Sequence, residues 1–519
     1  MKIRKFLLAC ALAANFTHIS VLAREAGPVT SPIWAQVQVY GPQRLVVRAI
    51  DHARNIYPHP SLHILPAVFL GAWGYPDFQG LSQEDPITVT FFQGSDDKHG
   101  LNWVARAKFT ESSPVNSAIE MQELKSKKIG EWTIVGRNGE IISRAESEPD
   151  ELFPASDQSL AFPSIRILLT DVFIKSLVRD FETTVLQNIA QSQTLERSMP
   201  AISLLNLALT LARQIDGVEC QLGVSDENLE IQFSIHAGKG SDLAMLFDAP
   251  VDGGKMAKLE AFLPSGDGMR WFCRSNPSVT KLFVHHFFDA LFIYNEDRSI
   301  ADASDRDIYN FFDSVWSLYG GLTVAQTTIF DGEKPAICKL WAASLTPDQL
   351  GIWVDFVYNK IVPLMVGEVA KMFWAGEIAF DTKAVPKAFT HKKHTISRAT
   401  VKMSLMDGDT ARHQYNESHY YCAFGDFVAV TNSKKTMYHL IDEMTSGGLP
   451  RTVENGLTLD QGTVFRLQSG RVPELQKYGF PPLDLSVKFD DGTAIFKMNI
   501  KSKLFGKWLH SQNNNPIGK

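Results

Sequence analysis

Gly238-Lys239-Gly240-Ser241 sets two glycines ahead of a helix start, an arrangement that can aim backbone N–H groups at a phosphate. It lacks the full Gly-x-x-x-x-Gly-Lys-Ser spacing, so it reads as a strand-to-helix turn with Ser241 as N-cap. Nucleophile motifs are missing too. There is no Gly-x-Ser-x-Gly elbow, no Ser-x-x-Lys with suitable partners, and no cysteine in a reactive local context. His59 and His63 are four apart, but Pro60 spoils a helical pair. His285 and His286 are adjacent in a helical pattern and so point about 100° apart, which does not suit one shared ion. His391-Lys392-Lys393-His394 reads as a solvated basic patch at a strand start, and His413 and His419 as flanking a loop at 414–418. Asp302, Asp305 and Asp307 crowd one segment without the calcium-loop pattern. The carboxylate pairs Asp96-Asp97, Glu296-Asp297 and Asp490-Asp491 fall in expected turns. No catalytic, cofactor-binding or metal-ligating residue is assigned, and no cofactor is implied.

Any chemistry would have to be positioned by strands and helices, and the plainest strand signal is residues 218–235. Val218, Cys220, Leu222 and Val224 alternate with Glu219, Gln221 and Gly223. After the polar turn Ser225-Asp226-Glu227-Asn228, the alternation resumes with Leu229, Ile231, Phe233 and Ile235. Residues 483–500 echo this hairpin: Leu483, Leu485, Val487 and Phe489, a turn at Asp490-Asp491-Gly492, then Ala494, Phe496, Met498 and Ile500. The correspondence extends further. Pro42 and Pro277 are 235 positions apart, as are Val89 and Val324. Ser113-Pro114 matches Thr346-Pro347, each an N-cap followed by proline at N1. Gly136 answers Gly425, Arg166 answers Arg466, and Phe233 answers Phe496. The drifting offsets place an insertion near 375–419 in the second half and another near 171–213 in the first, as a diverged tandem repeat would.

In chain order the patterning predicts a strand at 33–39, a helix from about Arg44, and strands at 87–93 and 101–110. A hairpin of 131–135 with 140–144 around Gly136-Arg137-Asn138-Gly139 follows, then a strand at 164–170. Helices fill most of 171–213, with Phe173, Leu177 and Phe181 on one stripe. The second half gives a strand at 269–274, helices at 278–292 and 304–319, and strands at 322–330 and 336–344. Thr346 and Gln349 form a capping box for the next helix, which Pro363 kinks. A strand at 394–405, a hairpin at 420–430, a helix capped by Ser433, a strand at 462–468 and a helix at 504–510 complete the chain. The fold class is α+β: two related lobes, 24–250 and 251–519, each an antiparallel sheet with helices packed on one face.

A chain of 519 residues exceeds one ordinary core. Its net charge of −6 has no basic excess, which argues against a nucleic-acid partner. Lys2, Arg4 and Lys5 precede an apolar stretch, and Val21 and Ala23 suit cleavage before Arg24, so residues 1–23 read as a signal peptide. No later stretch has 18 uncharged apolar residues, so no transmembrane segment is expected in the mature chain. Cys220, Cys273, Cys338 and Cys422 would allow two disulfides in three connectivities. All four sit in strand-like apolar patterns, which favours free core thiols.

Residues 420–433 form a strand hairpin that runs directly into the helix capped by Ser433. In this unit, repeated along the chain, the protein resembles an uncharacterised family of exported bacterial proteins with tandem α+β repeats. The resemblance implies export and architecture, and no activity at any position. The reading is a non-enzymatic exported protein, periplasmic or extracellular, with a binding or structural role in the cell envelope. A carrier of an apolar ligand, with lipid, peptide or envelope polymer as partner, is its sharper form. The alternative is an envelope hydrolase whose active site is assembled in space without a motif.

Overall fold

A computed structural model describes residues 32–56, 80–93, 102–110, 113, 116, 119–120, 123–136, 139–154, 163–191, 207–248, 255–263, 270–274, 323–331, 334–363, 378–407, 410–446, 463–468 and 483–514. The expected signal peptide, the helices expected at 278–292 and 304–319, and most of the sequence-level metal and carboxylate candidates (His59, His63, Asp96, Asp97, His285, His286, Glu296, Asp297, Asp302, Asp305 and Asp307) lie outside these residues.

The alternating segments become strands. The first half supplies β1 (Ile33–Tyr40), β2 (Ile87–Phe92), β3 (Asn102–Ala107), β4 (Lys125–Ile129), β5 (Trp132–Gly136), β6 (Ser164–Thr170), β7 (Ile215–Val224) and β8 (Asn228–Ala237). The second supplies β9 (Arg270–Arg274), β10 (Thr323–Asp331), β11 (Lys334–Ala342), β12 (Ile378–His391), β13 (His394–Asp407), β14 (Thr410–Ala423), β15 (Phe427–Thr431), β16 (Thr463–Gln468), β17 (Leu483–Asp490) and β18 (Thr493–Lys501). Among the described residues these form one 18-stranded sheet in which every neighbouring pair is antiparallel.

The sheet is continuous through a seam where β8 pairs with β18. Outward from the seam, one side runs β8, β7, β6, β1, β2, β3, β5, β4. The other runs β18, β17, β16, β9, β10, β11, β15, β14, and then continues through β13 to β12. Each first-half strand thus has a positional counterpart in the second half. The two extra strands, β12 and β13, fall where the sequence calls for an insertion. Side-chain register repeats as well. Arg166 pairs across the ladder with Gln221 and bonds Glu219, two residues earlier in β7. Arg466 pairs with Ser486 and bonds Asp484, two residues earlier in β17.

The helices are α1 (Pro42–Ile56), α2 (Gly139–Ser147), α3 (Pro149–Leu152), α4 (Asp171–Gln191), α5 (Asp242–Leu246), α6 (Lys255–Phe262), α7 (Pro347–Phe356), α8 (Lys434–Thr445) and α9 (Ser502–Asn514). Their starts follow the sequence signals. Ser241 accepts a bond from Ala244 N and Ser433 one from Thr436 N. Thr346 and Gln349 close the capping box in both directions, satisfying two of the N–H groups that a helix start leaves unpaired. A π-helical turn, Val357–Ile361, extends α7 and ends just before Pro363.

Four expectations are corrected. The hairpin expected around Gly136 to Gly139 is instead β4 and β5 around Gly130, whose φ of +61° suits the turn, and residues 139–147 are helical. Ile141, Ile142 and Ala145 are all buried, at a spacing that lines one helix face rather than alternating across a strand. Gly130, at the β4–β5 turn, rather than Gly136, thus takes the position that Gly425 (φ +69°) takes at the β14–β15 turn. Residues 414–418 lie inside β14 and form no loop. Lys392 and Lys393, both at positive φ, form the two-residue turn between β12 and β13, which places His391 opposite His394.

The fourth correction concerns the helices, which do not keep to one face. Cys422 and Ala429 pack with Met437, Leu440 and Ile441 of α8. Their strand neighbours Tyr421, Val428 and Val430 pack with Leu350 and Val354 of α7. Successive strand residues point to opposite faces, so α7 and α8 cover opposite sides of the same strands. β15 is buried along its whole length and needs cover on both sides. In the first half, α2 and α3 pack with Phe92, Val104 and Ile134.

Candidate functional site

The cross-strand register assembles one apolar row along the face that α7 shares. It begins at Val135 of β5 and passes through Ala105, Val89, Val37, Ile167 and Cys220 to Phe233 of β8. It crosses the seam to Phe496 and continues through Val487, Phe465, Cys273, Val324, Trp341 and Val428 to Ala423 of β14. No polar side chain interrupts it. Neighbouring strands lie about 4.8 Å apart, so the row is a continuous stripe perpendicular to the strands. Val89 and Val324 lie four steps from Phe233 and Phe496 respectively.

Cover along the row is uneven. At one end Val428 is buried under α7, and Trp341 meets Trp353 of that helix edge-on at 4.9 Å between ring centroids. At the seam Phe233 is 38% exposed, with its ring 6.3 Å from that of Phe496. Phe465 continues the aromatic lining and contacts Trp271. Such a surface, apolar and partly open at its centre, offers area and shape to a ligand with little hydrogen bonding.

Beside the covered end lies a polar cluster with no contiguous sequence signature. Tyr358, in the π turn, meets the Tyr421 hydroxyl at 2.5 Å, and its carbonyl accepts a bond from Thr382 Oγ1 at 2.6 Å. The Tyr358 ring lies 6.2 Å from His419. His419 Nε2 is 3.5 Å from Glu417 Oε2, and Asn432 Nδ2 donates to Glu417 Oε1 at 2.9 Å. Burial depresses the Lys339 pKa against the opposing pull of Glu417. It likewise lowers His419, and Lys339 adds to that lowering while Glu417 opposes it. Both tyrosines are raised by burial, Tyr421 well above its ordinary value. At sequence level His419 is set at a loop edge, while Lys339, Glu417, Tyr358 and Tyr421 carry no signal, because the group comes from β11, β14 and a helix turn.

A Ser–His pair also exists. His52 Nδ1 lies 2.7 Å from Ser502 Oγ, and His52 Nε2 lies 2.7 Å from the Ser225 carbonyl oxygen. A carbonyl only accepts, so Nε2 carries a hydrogen and donates to it. His52 is 3% exposed and Ser502 1%, which leaves the hydroxyl closed to a substrate. The pair ties α1 to α9, where Gly506 packs against the backbone of Asn55.

No family model matches the chain, and no curated protein matches it. Among solved structures it is similar to crystal forms III, IV and I of TP0453, at 10%, 8% and 10% identity. These matches cover 43%, 41% and 43% of this chain and 80%, 81% and 82% of that one, with TM-scores of 0.19, 0.18 and 0.17. At such TM-scores the likeness carries nothing into the reading of fold or function.

The remaining chemistry is sparse. Cys220, Cys273, Cys338 and Cys422 are all free, and burial pushes the thiols of Cys338 and Cys422 up to about 12. Among the described residues no group of three or more His, Cys, Asp and Glu gathers as a metal site. No helix among them is long and apolar enough to cross a membrane, a statement that does not extend to strands.

Proposed function

We propose that this is an exported, non-enzymatic protein of the cell envelope, built from two tandemly duplicated α+β lobes and binding an apolar ligand along the face that crosses their seam. The duplication is supported by the matching strand connections and by the repeated Arg166–Glu219 and Arg466–Asp484 geometry. Export rests on the basic and apolar pattern of residues 1–23.

The observation that carries the binding reading is the uninterrupted apolar row, open at Phe233. Lipid, peptide and envelope polymer all fit its chemistry. The hydrolase alternative draws on the Ser502–His52 contact, but the buried hydroxyl and the carbonyl in place of a carboxylate on Nε2 weigh against it.

Native mass spectrometry of protein purified from its own envelope tests the reading. A copurifying apolar molecule, lost in Phe233→Ser, is the expected result. A bare chain that turns over ester, peptide or glycoside substrates would overturn it.

A further inference from the structure

α7 covers the row at Trp341 through Trp353, and the polar cluster lies where the π turn that follows it meets the sheet. We propose that α7 is a proton-released lid on the Trp341 end of the apolar row, with His419 as the group that releases it. That the lid governs a binding face rests on the proposed function; the release itself does not.

Beside the apolar packing of Val357 and Val362, three specific contacts tie the π turn to the sheet: the Tyr358–Tyr421 hydroxyl pair, the Thr382 bond to the Tyr358 carbonyl, and the Tyr358 ring beside His419. A π turn widens the helix and is less favourable than continuing the α-helix, so it persists where side-chain contacts over-determine it, often at functional positions. The capping box fixes the other end of α7, at Thr346. Loosening the π turn therefore weakens the last turn of α7, while the capping box and the burial of Leu350 and Val354 keep its first turns on the sheet.

His419 is enclosed from each packed element. Glu417 and Tyr421 flank it on β14, Lys339 faces the cluster from β11, and Tyr358 faces it from the helix. The paired position on β13 is Ala399, and beyond Thr431 only the neutral amide of Asn432 reaches Glu417. Glu417 is thus the one anion in the group, and it already serves Asn432 and lies near Lys339. A proton on His419 adds a second cation beside Lys339 in a half-buried space.

The sign follows. Burial and Lys339 hold His419 below its ordinary 6.5 in the closed arrangement, so the open arrangement binds the proton better. The closed lid is favoured above pH 6.5 and loses ground as pH falls below it.

Hydrogen exchange on the full chain, corrected for intrinsic rate and compared between pH 7.5 and 5.5, tests this without any ligand. In the wild type, residues 347–358 should lose protection at the lower pH by about three- to tenfold relative to residues 434–445 on the opposite face, tenfold being the most that one histidine titrating at 6.5 in the open arrangement can give over this range. In His419→Gln that ratio should stay constant. Lys339→Met leaves the helix contacts in place and should move the midpoint of the wild-type change to lower proton concentration. An unchanged ratio in the wild type, or an equal loss in His419→Gln, would overturn the proposal. Failure of the binding reading would show instead as no Phe233-dependent ligand, with the exchange result intact.

Discussion

Phe233 and Phe496 face each other across the β8–β18 ladder, one residue from its midpoint at Gln232 and Lys497. Two positions that answer each other in the sequence pattern are therefore also neighbours in space, paired directly across an antiparallel ladder. From this pair the strand connections repeat outward in both directions. The pair also sits where the apolar row is least covered, since Phe233 keeps 38% of its surface open.

Phe233→Ser should accordingly cost less than the about 1.5–3 kcal/mol of a fully buried side chain. It should still remove most of the enhancement of an apolar fluorescent probe bound by the native protein. Probe titration together with a urea midpoint separates the effects, and a large midpoint change with unaltered probe binding would count against the row as a binding face.

The two arginine pairs share a geometry but differ in burial. Glu219 is 8% exposed, and although burial opposes ionisation, its bonds from Arg166 and Gln221 hold its pKa below the ordinary 4.5. A lowered carboxylate contributes stability above pH 4.5 that is lost as pH falls through the folded value. Glu219→Gln should cost about 3 kcal/mol at pH 7 and flatten the acid limb of the stability profile. Asp484→Asn, in the more exposed copy, should cost about 0–1 kcal/mol. Denaturant titrations between pH 3 and 7 check both.

Asn432 stands just past the end of β15, its Oδ1 accepting from Ile337 N at 2.8 Å and its Nδ2 donating to Glu417. The side-chain amide fills the place of a further strand residue between β11 and β14. Asn432→Ala leaves the amide of Ile337 without that acceptor and should cost about 1–3 kcal/mol, read from the unfolding midpoint.

A Cβ at Gly506 would run into the backbone oxygen of Asn55, whereas one at Gly139 would meet nothing within 4 Å. Gly506→Ala should force α1 and α9 apart and cost about 1–3 kcal/mol. Gly139→Ala, near a helix start, should change stability by less than about 1 kcal/mol. Thermal unfolding of the two variants side by side gives the comparison.

Cys338 and Cys422, with thiols pushed up to about 12, should resist alkylation in the native state, and Cys220, Cys273, Cys338 and Cys422 should all become available on unfolding without reductant. Intact mass after alkylation, with and without denaturant, counts them. Two or more thiols missing after unfolding would mean disulfides.

Local pattern and residue type alone determined much of this protein. The alternation of 218–235 and 483–500 marks hairpins because a buried face demands period two, and Ser241, Thr346 and Ser433 mark helix starts because unpaired N–H groups demand an acceptor. Where local period was ambiguous, as at Ile141-Ile142, it misled, since a short apolar run fits either a strand or a helix until its neighbours choose. The pairing of β8 with β18, the apolar row through Phe233 and Phe496, and the gathering of Lys339, His419 and Tyr358 were decided only by the tertiary structure. Each depends on register between segments far apart in the chain, and register is set by which faces find cover, a property no single segment carries.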